Sequence, residues 1–105
     1  MFRVFRSNWY EEKLNKLDNN EIQRIEKIEQ HLKEEPFSGK PLSYKFFREK
    51  KLNGKRMLFL VYEEHNSIFL ITITDKKAQQ NEIDLIKANL DIYKDKIKKL
   101  IDDLN

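Results

Sequence analysis

Residues 44–62 are YKFFREKKLNGKRMLFLVY. Two runs rich in aromatic and apolar side chains flank the dipeptide Asn53-Gly54, which is typical of a two-residue turn between antiparallel strands. If these two residues form the turn, residues at equal distances from it lie opposite one another, so Lys51 faces Arg56. Like charges in this position oppose folding unless an anion or a carboxylate such as Glu49 compensates them. The positions of the other elements are predicted relative to the two faces of this hairpin.

The two faces of this hairpin differ. One face is predicted to lie in the core beneath the helices that come earlier in the chain, and its apolar members are Phe46, Met57, Phe59 and Val61. The other face mixes apolar side chains with the facing pair of cations, and its members are Phe47, Leu58, Leu60, Lys51 and Arg56. We expect this second face to be half-covered, either by the last helix or by another chain.

The flanking segments give the order of the remaining elements. Residues 2–6 predict a short, imperfect strand, and Ser7 or Asn8 supplies an N-cap for the helix that follows. Apolar residues at helical spacing over 10–17 and 22–32 predict a helical hairpin. Proline and glycine within residues 35–42 predict a loop, and residues 67–74 predict a third strand after the loop.

From Ala78 onward, apolar residues recur in steps of three and four, which predicts one long helix with a heptad seam. The seam consists of Ile83, Ile86, Leu90, Tyr93, Ile97, Leu100 and Leu104. The chain is therefore predicted to be one α+β domain over residues 1–105, with the order β-α-α-β-β-β-α. Its mainly antiparallel four-stranded sheet carries the helical hairpin on one face and is completed by a long C-terminal helix.

Composition excludes several classes of function. The chain has no cysteine and only two glycines, so thiolate chemistry and glycine-rich phosphate loops are not expected. His31 and His65 lack partners at metal-ligand spacing, and we expect neither a metal nor a cofactor. The N-terminal residues show no apolar signal core, and the longest apolar run, residues 57–62, is too short to span a bilayer. A cytoplasmic location is expected.

The net charge of +3 is unevenly distributed. Residues 40–56 carry seven basic side chains against Glu49 alone: Lys40, Lys45, Arg48, Lys50, Lys51, Lys55 and Arg56. This local excess favours a polyanionic partner. The alternative is that these side chains only guard a solvated hairpin tip and a sheet edge.

The predicted order of elements, with the basic strand over 42–52, the arginine after the turn and the apolar strand that ends in Asp75-Lys76-Lys77, resembles the RelE/ParE toxin superfamily. The resemblance covers nearly the whole chain. It implies a toxin of a type II toxin-antitoxin system. The RelE branch cuts mRNA in the decoding site of the ribosome, the ParE branch inhibits gyrase, and both branches pair with an antitoxin.

By matching position, the resemblance implies that Arg56 holds the scissile phosphate, with Lys51 on the preceding strand and Lys77 after the last strand as further catalytic cations. It implies attack of the RNA 2′-hydroxyl on the adjacent phosphate, stabilised by fixed cations without a metal. Nearby basic residues are expected to bind RNA: Lys45, Arg48, Lys50, Lys55 and Lys76.

Two positions depart from the family pattern. Glu49 stands where RelE has another lysine, and Ile83 stands where a tyrosine or histidine often follows in the last helix. Tyr93 does not replace that residue if, as its seam position favours, it packs in the core. A non-enzymatic gyrase inhibitor and a non-toxic module that binds RNA or an antitoxin are therefore the alternatives.

The heptad seam predicts a protein partner, either an antitoxin helix or a second copy of this chain. The residues expected to contact that partner are Ile86, Leu90, Tyr93, Ile97, Leu100 and Leu104. A helix that only caps the chain's own sheet is the alternative.

Overall fold

The computed structural model describes residues 1–104. In this part of the chain the strands are β1 (Arg3–Arg6), β2 (Lys40–Leu42), β3 (Tyr44–Leu52), β4 (Lys55–Tyr62) and β5 (Ser67–Asp75). The helices are α1 (Asn8–Leu14), α2 (Asn19–Glu34), α3 (Gln79–Ala88) and α4 (Leu90–Leu104), with a short 3-10 turn at Glu63–His65. No helix of the described residues is both long enough and apolar enough to cross a membrane.

The described strands form one five-stranded sheet in the order β1-β5-β4-β3-β2. Neighbouring strands are antiparallel except for β1 and β5, which are parallel. The predicted α+β class is confirmed, but the prediction of four strands is wrong because part of the predicted loop forms β2. Pro41 is tolerated there, since β2 is an edge strand and its missing N–H interrupts no ladder between two neighbours.

The register of the β3–β4 hairpin is the predicted one. Lys51 pairs with Arg56, and Lys50 pairs with Met57 across a turn at Asn53-Gly54. Asn53 has φ 54°, in the left-handed region that asparagine tolerates better than most residues. The turn therefore places Glu49, Lys51 and Arg56 on one face of the sheet, as the sequence predicts.

The first core lies between one face of the sheet and the N-terminal helices. Its buried members are Tyr10, Leu14, Ile25, Leu32, Met57, Phe59, Val61, Ile68, Leu70 and Ile73. The assignment of Met57, Phe59 and Val61 to this core is confirmed. Phe46 was predicted to join them but is 39% exposed, because the pairing of β3 with β4 begins only at Phe47.

The second core lies on the opposite face, beneath the C-terminal helices. Its buried members are Phe47, Leu58, Leu60, Tyr62, Phe69, Ile71, Ile83, Ile86, Ile97 and Ile101. The face that was expected to be half-covered is thus largely closed by the chain's own helices. What remains open on it is the end that carries Lys51 and Arg56.

The prediction of one long C-terminal helix is wrong, because the helix breaks at Asn89. This residue has φ −124° and ψ 23°, and its side-chain amide donates to the carbonyl of Leu85 at 2.7 Å. Asparagine competes in this way for backbone groups that a continuous helix would use. The break lets α3 and α4 take different directions, so that Ile86 and Ile97 both pack on the same sheet face.

Polar contacts fix the N-terminal elements on the sheet. Ser7 caps α1 as predicted, because its hydroxyl accepts from the N–H of Tyr10 at 3.0 Å, and it also donates to the carbonyl of Ile71 at 2.6 Å. Arg6 binds the buried carboxylate of Glu29 through two nitrogens, and the Tyr10 hydroxyl donates to the same carboxylate at 2.8 Å. These bonds join β1, α1, α2 and β5.

Candidate active site

The centre of the candidate site is an ion pair between Arg56 and Glu49. Nε of Arg56 lies 2.7 Å from Oε1 of Glu49, and only 14% of the arginine side chain and 2% of the glutamate side chain are exposed. The N–H of Nε does not point at the oxygen, so the contact is an ion pair without hydrogen-bond geometry. The compensating role that the sequence suggested for Glu49 is therefore seen directly.

Gln79, the first residue of α3, holds the same carboxylate. Its side-chain amide donates to Oε1 of Glu49 at 2.9 Å. The first turn of α3 is itself anchored by Glu82, which accepts from the hydroxyl of Thr72 at 3.0 Å and pairs with Lys13 at 3.0 Å. Sequence reasoning missed Gln79, because only the packing of α3 on the sheet brings it to Glu49.

The outer part of the Arg56 guanidinium is available to a ligand. Within residues 1–104 its Nη atoms make no hydrogen bond to the protein, while Nε lies against the carboxylate of Glu49. Because a guanidinium offers five N–H donors in a planar fork, the outer edge retains a pair that suits a phosphate. Glu49 both orients this fork and offsets part of its charge.

The structure brings the predicted catalytic cations to one end of the sheet. Lys51 lies directly opposite Arg56 and is exposed. Thr74 of β5 pairs with Arg56 from the other side, and the strand ends one residue later. Lys77 follows that strand end and is exposed. The site is thus an open cationic surface with one half-buried member.

Arg48 was predicted to bind RNA, but the structure gives it a structural position. Its Nη2 donates to the carbonyls of Phe37 at 2.6 Å and Gly39 at 2.9 Å, and Nη1 donates to that of Lys45 at 3.2 Å. The residue is only 8% exposed. It therefore holds the segment before β2 against β3 and does not present its charge to solvent.

The other residues predicted to bind RNA divide between free and engaged side chains. Lys55 pairs with Glu21 of α2 at 2.8 Å, on the sheet face opposite to Arg56. Lys50 donates to the hydroxyl of Ser38 at 2.7 Å. Lys76 is exposed, and Lys45 is exposed with its ammonium 4.8 Å from the ring centre of Phe37. Of this set, Lys45 and Lys76 are best placed for an external ligand.

The residues predicted to contact a partner mostly face inward. Ile86 and Ile97 are fully buried in the second core, and Leu90 and Tyr93 are half-buried against it. The ring of Tyr93 contacts Phe69 edge-on at 6.1 Å, and burial raises the pKa of its hydroxyl. The seam therefore caps the chain's own sheet, and its exposed members are Leu100 and Leu104.

Among residues 1–104, no group of three or more acidic or histidine side chains is placed to hold a metal ion. The chemistry that this surface offers is electrostatic. Cations held by a rigid hairpin can bind an anion and stabilise charge that develops on it.

The fold is that of the RelE toxins. The chain superposes on a chain of the intact Escherichia coli RelBE toxin-antitoxin complex with a TM-score of 0.66 and 18% identity, over 71% of this chain and 96% of that one. For the Mycobacterium tuberculosis RelBE2 toxin-antitoxin complex the TM-score is 0.64 and the identity 19%, over 71% and 98%. For the isolated E. coli RelE toxin these values are 0.64 and 16%, over 82% and 99%.

At these identities the likeness shows the fold. No protein-family model matches the sequence, and no curated protein is significantly similar to it.

Proposed function

We propose that this chain is the toxin of a type II toxin-antitoxin system and that it cleaves ribosome-bound mRNA in the cytoplasm. The observation that carries the proposal is the half-buried Arg56, held by Glu49 and Gln79 within a RelE-like fold. In this proposal residues 1–105 form a single toxin domain, and activity requires neither a metal nor a cofactor.

The proposed mechanism follows from the positions of the cations. Arg56 binds the scissile phosphate through its outer nitrogens and stabilises the negative charge that builds up as the RNA 2′-hydroxyl attacks. Lys51, directly opposite Arg56, and Lys77, beyond the end of β5, lie at the same end of the sheet. They add positive potential along the RNA backbone, and Lys51 is the nearer candidate to move a proton.

The proposal includes an antitoxin as the protein partner. Support comes from the two superposed structures that are toxin-antitoxin complexes. Because the predicted seam is mostly buried, the seam residues left for an antitoxin or a second copy are its exposed members on α4, Leu100 and Leu104.

A second candidate function is supported by the same ion pair. Glu49 offsets the charge of Arg56, and the proposed mechanism relies on Lys51 alone to move a proton. A non-enzymatic inhibitor of gyrase needs neither a bound phosphate nor a base. The two candidates differ in what happens to mRNA.

Primer extension on mRNA translated in vitro tests the proposal. The wild type should cut within codons, and Arg56→Ala should cut about 10²–10³-fold more slowly, the usual loss for one group that stabilises transition-state charge. Since Arg56→Ala leaves the buried Glu49 carboxylate unpaired, the double variant Arg56→Ala/Glu49→Gln should be measured beside it. Arg24→Ala, an exposed charge on α2, is the matched control.

Cleavage that is lost with Arg56 and kept in the control supports the proposal. Intact mRNA with blocked growth and inhibited supercoiling supports the gyrase candidate. Intact mRNA with normal growth contradicts both and leaves a non-toxic binding module.

A further inference from the structure

Tyr44 and Phe46 form an exposed aromatic pair that the proposed mechanism does not use. Their rings are stacked, with centroids 5.0 Å apart and an interplanar angle of 6°. They are 42% and 39% exposed, whereas the other aromatic side chains of the described residues are buried or partly buried. Phe46 borders an open cleft of about 440 Å³, which begins where β3 separates from β4. A flat apolar surface beside a cleft is therefore presented to solvent.

A positive charge lies beside the pair. The ammonium of Lys87, near the end of α3, lies 5.9 Å from the ring centre of Tyr44 and donates to the hydroxyl of Ser43 at 3.1 Å. Lys45, between the two rings in sequence, belongs to the other face of the strand, where its ammonium lies 4.8 Å from the ring centre of Phe37. Ser43 has φ 68°, a left-handed conformation that costs free energy in a residue other than glycine. That conformation lies where the chain turns from β2 into the aromatic pair.

We propose that Tyr44 and Phe46 form a stacking platform for a base of single-stranded RNA, with Lys87 contacting a flanking phosphate. Aromatic rings beside cations are the usual means of binding single strands, because every base has a face that can stack and every nucleotide carries a phosphate. The inference rests on the proposed function in taking RNA as the ligand. It adds a second contact point, remote from the site of cleavage.

The cleft also favours a base over a phosphate. The charged residues that line it are three acidic ones, Glu63, Glu64 and Asp91, and one basic one, Lys94, so its net charge is negative. Carboxylates repel a phosphate but accept hydrogen bonds from the amino and imino groups of a base edge. The phosphates are therefore directed to the lysine side of the rings, and the base is directed into the cleft.

The size of the platform argues against a protein as its ligand. A stable protein interface covers about 800 Å² on each partner. The apolar patch here is two rings wide and is bounded by charged side chains, whereas a single base requires little more area than one ring.

The platform and Arg56 lie at opposite ends of α3. Gln79 at the start of the helix contacts Glu49 beside Arg56, and Lys87 near its end lies by Tyr44. These two residues are about 12 Å apart at 1.5 Å of rise per residue. A strand that follows β3 and α3 can therefore reach both points within a few nucleotides.

Binding of a labelled 2′-O-methyl oligoadenylate octamer tests the platform without cleavage, because that RNA lacks the attacking hydroxyl. Tyr44→Ala/Phe46→Ala should bind it roughly 5- to 100-fold more weakly, the range expected for one stacked base. Tyr44→Phe/Phe46→Tyr, which keeps both rings, should bind like the wild type. Leu85→Ala/Ile92→Ala removes two other exposed apolar side chains and should also bind normally.

Single abasic substitutions in the octamer give the sharper result. At one position of the octamer, removal of the base should weaken binding to the wild type by the same factor as Tyr44→Ala/Phe46→Ala does. The same abasic octamer should bind Tyr44→Ala/Phe46→Ala no more weakly than the intact octamer does. Equal abasic penalties in both proteins would overturn the platform. So would unchanged RNA affinity after loss of the rings, including the case in which the rings are needed only for self-association in size-exclusion chromatography.

Arg56→Ala separates this inference from the proposed function. If one abasic position has its effect only when the two rings are present, and Arg56→Ala still cleaves mRNA, the stacking platform is supported and the proposed mechanism is wrong. If cleavage depends on Arg56 but every abasic position weakens binding equally in the wild type and in Tyr44→Ala/Phe46→Ala, the mechanism is supported and the platform is wrong.

Discussion

Replacement of Glu49 by glutamine should strengthen RNA binding and weaken the fold. Glutamine has the shape of glutamate and can still accept from Gln79 through its carbonyl, so the change removes charge and leaves the packing in place. The carboxylate lies 2.7 Å from Nε of Arg56, which puts it roughly 5 Å from a phosphate bound at the outer edge of the guanidinium.

The size of the effect follows from Coulomb's law. Two unit charges 5 Å apart interact with about 3 kcal/mol at an effective dielectric constant of 20 and with about 0.8 kcal/mol in water. Because the site is open to solvent, removal of the repulsion should raise phosphate affinity by about 1–3 kcal/mol, or roughly 5- to 150-fold. The slope of log K against log salt should also steepen by about 0.7 for one more neutralised phosphate of a single strand.

The opposing effect is on stability. Glu49→Gln leaves the guanidinium of Arg56 without its counter-charge, which should cost about 1–3 kcal/mol of unfolding free energy. Fluorescence anisotropy with the 2′-O-methyl octamer and urea unfolding measure the two effects on one sample. Glu21→Gln, which removes a carboxylate paired with Lys55 at 2.8 Å on the other sheet face, is the control.

Equal gains in affinity for Glu49→Gln and Glu21→Gln would refute the reasoning, because the effect would then be one of net charge alone. Unchanged affinity with lowered stability would show that the outer nitrogens of Arg56 do not contact phosphate.

Further predictions concern stability. Gly39→Ala should destabilise the fold by about 2–5 kcal/mol in urea unfolding, because Gly39 has φ 90° and a Cβ there would collide with the backbone of β3. Gly54→Ala is the control: the added Cβ meets open space, so this change should cost under about 1 kcal/mol. Burial and a neighbouring carboxylate raise the pKa of Tyr10 above its usual 10.0, so the stability it contributes is present below pH 10 and is lost by about 1.4 kcal/mol per pH unit above it. In unfolding measured from pH 8 to pH 11, Tyr10→Phe should reduce the slope by about that amount, and the raised pKa values of Tyr62 and Tyr93 account for the slope that remains. Ile97→Ala should lower the midpoint of thermal unfolding through a loss of about 2–5 kcal/mol, whereas Leu104→Ala, 62% exposed, should have almost no effect.

The sequence predicts the hairpin well because its determinants are local. Asn53-Gly54 sets the turn, the turn sets the register, and the register places Lys51 opposite Arg56 with Glu49 nearby. Alternation along each strand then separates the two sheet faces. No long-range contact is needed for any of these steps, which is why this part of the site could be derived from residue order.

The predictions that failed depend on tertiary contacts. The break at Asn89 interrupts a run of apolar spacing that looks continuous, because nothing in that spacing shows that the helix must change direction over the sheet. The position of Arg48 depends on the path of residues 37–39, whose carbonyls bind it. Phe46 lies where the two strands separate, and strand alternation applies only while they remain paired.

The parallel pairing of β1 with β5 has a consequence for synthesis on the ribosome. Ser7 bonds to a carbonyl that lies 64 residues later, so the first strand has no partner in the sheet until β5 has been made. At a synthesis rate of about 5–20 residues per second, the apolar sides of α1 and α2 remain without the complete sheet for several seconds. Gln79 and α3 follow later still, so the contacts that hold Arg56 are complete only after the whole sheet has been translated. A nascent chain therefore exposes apolar surface for most of its synthesis, before its cationic site is assembled.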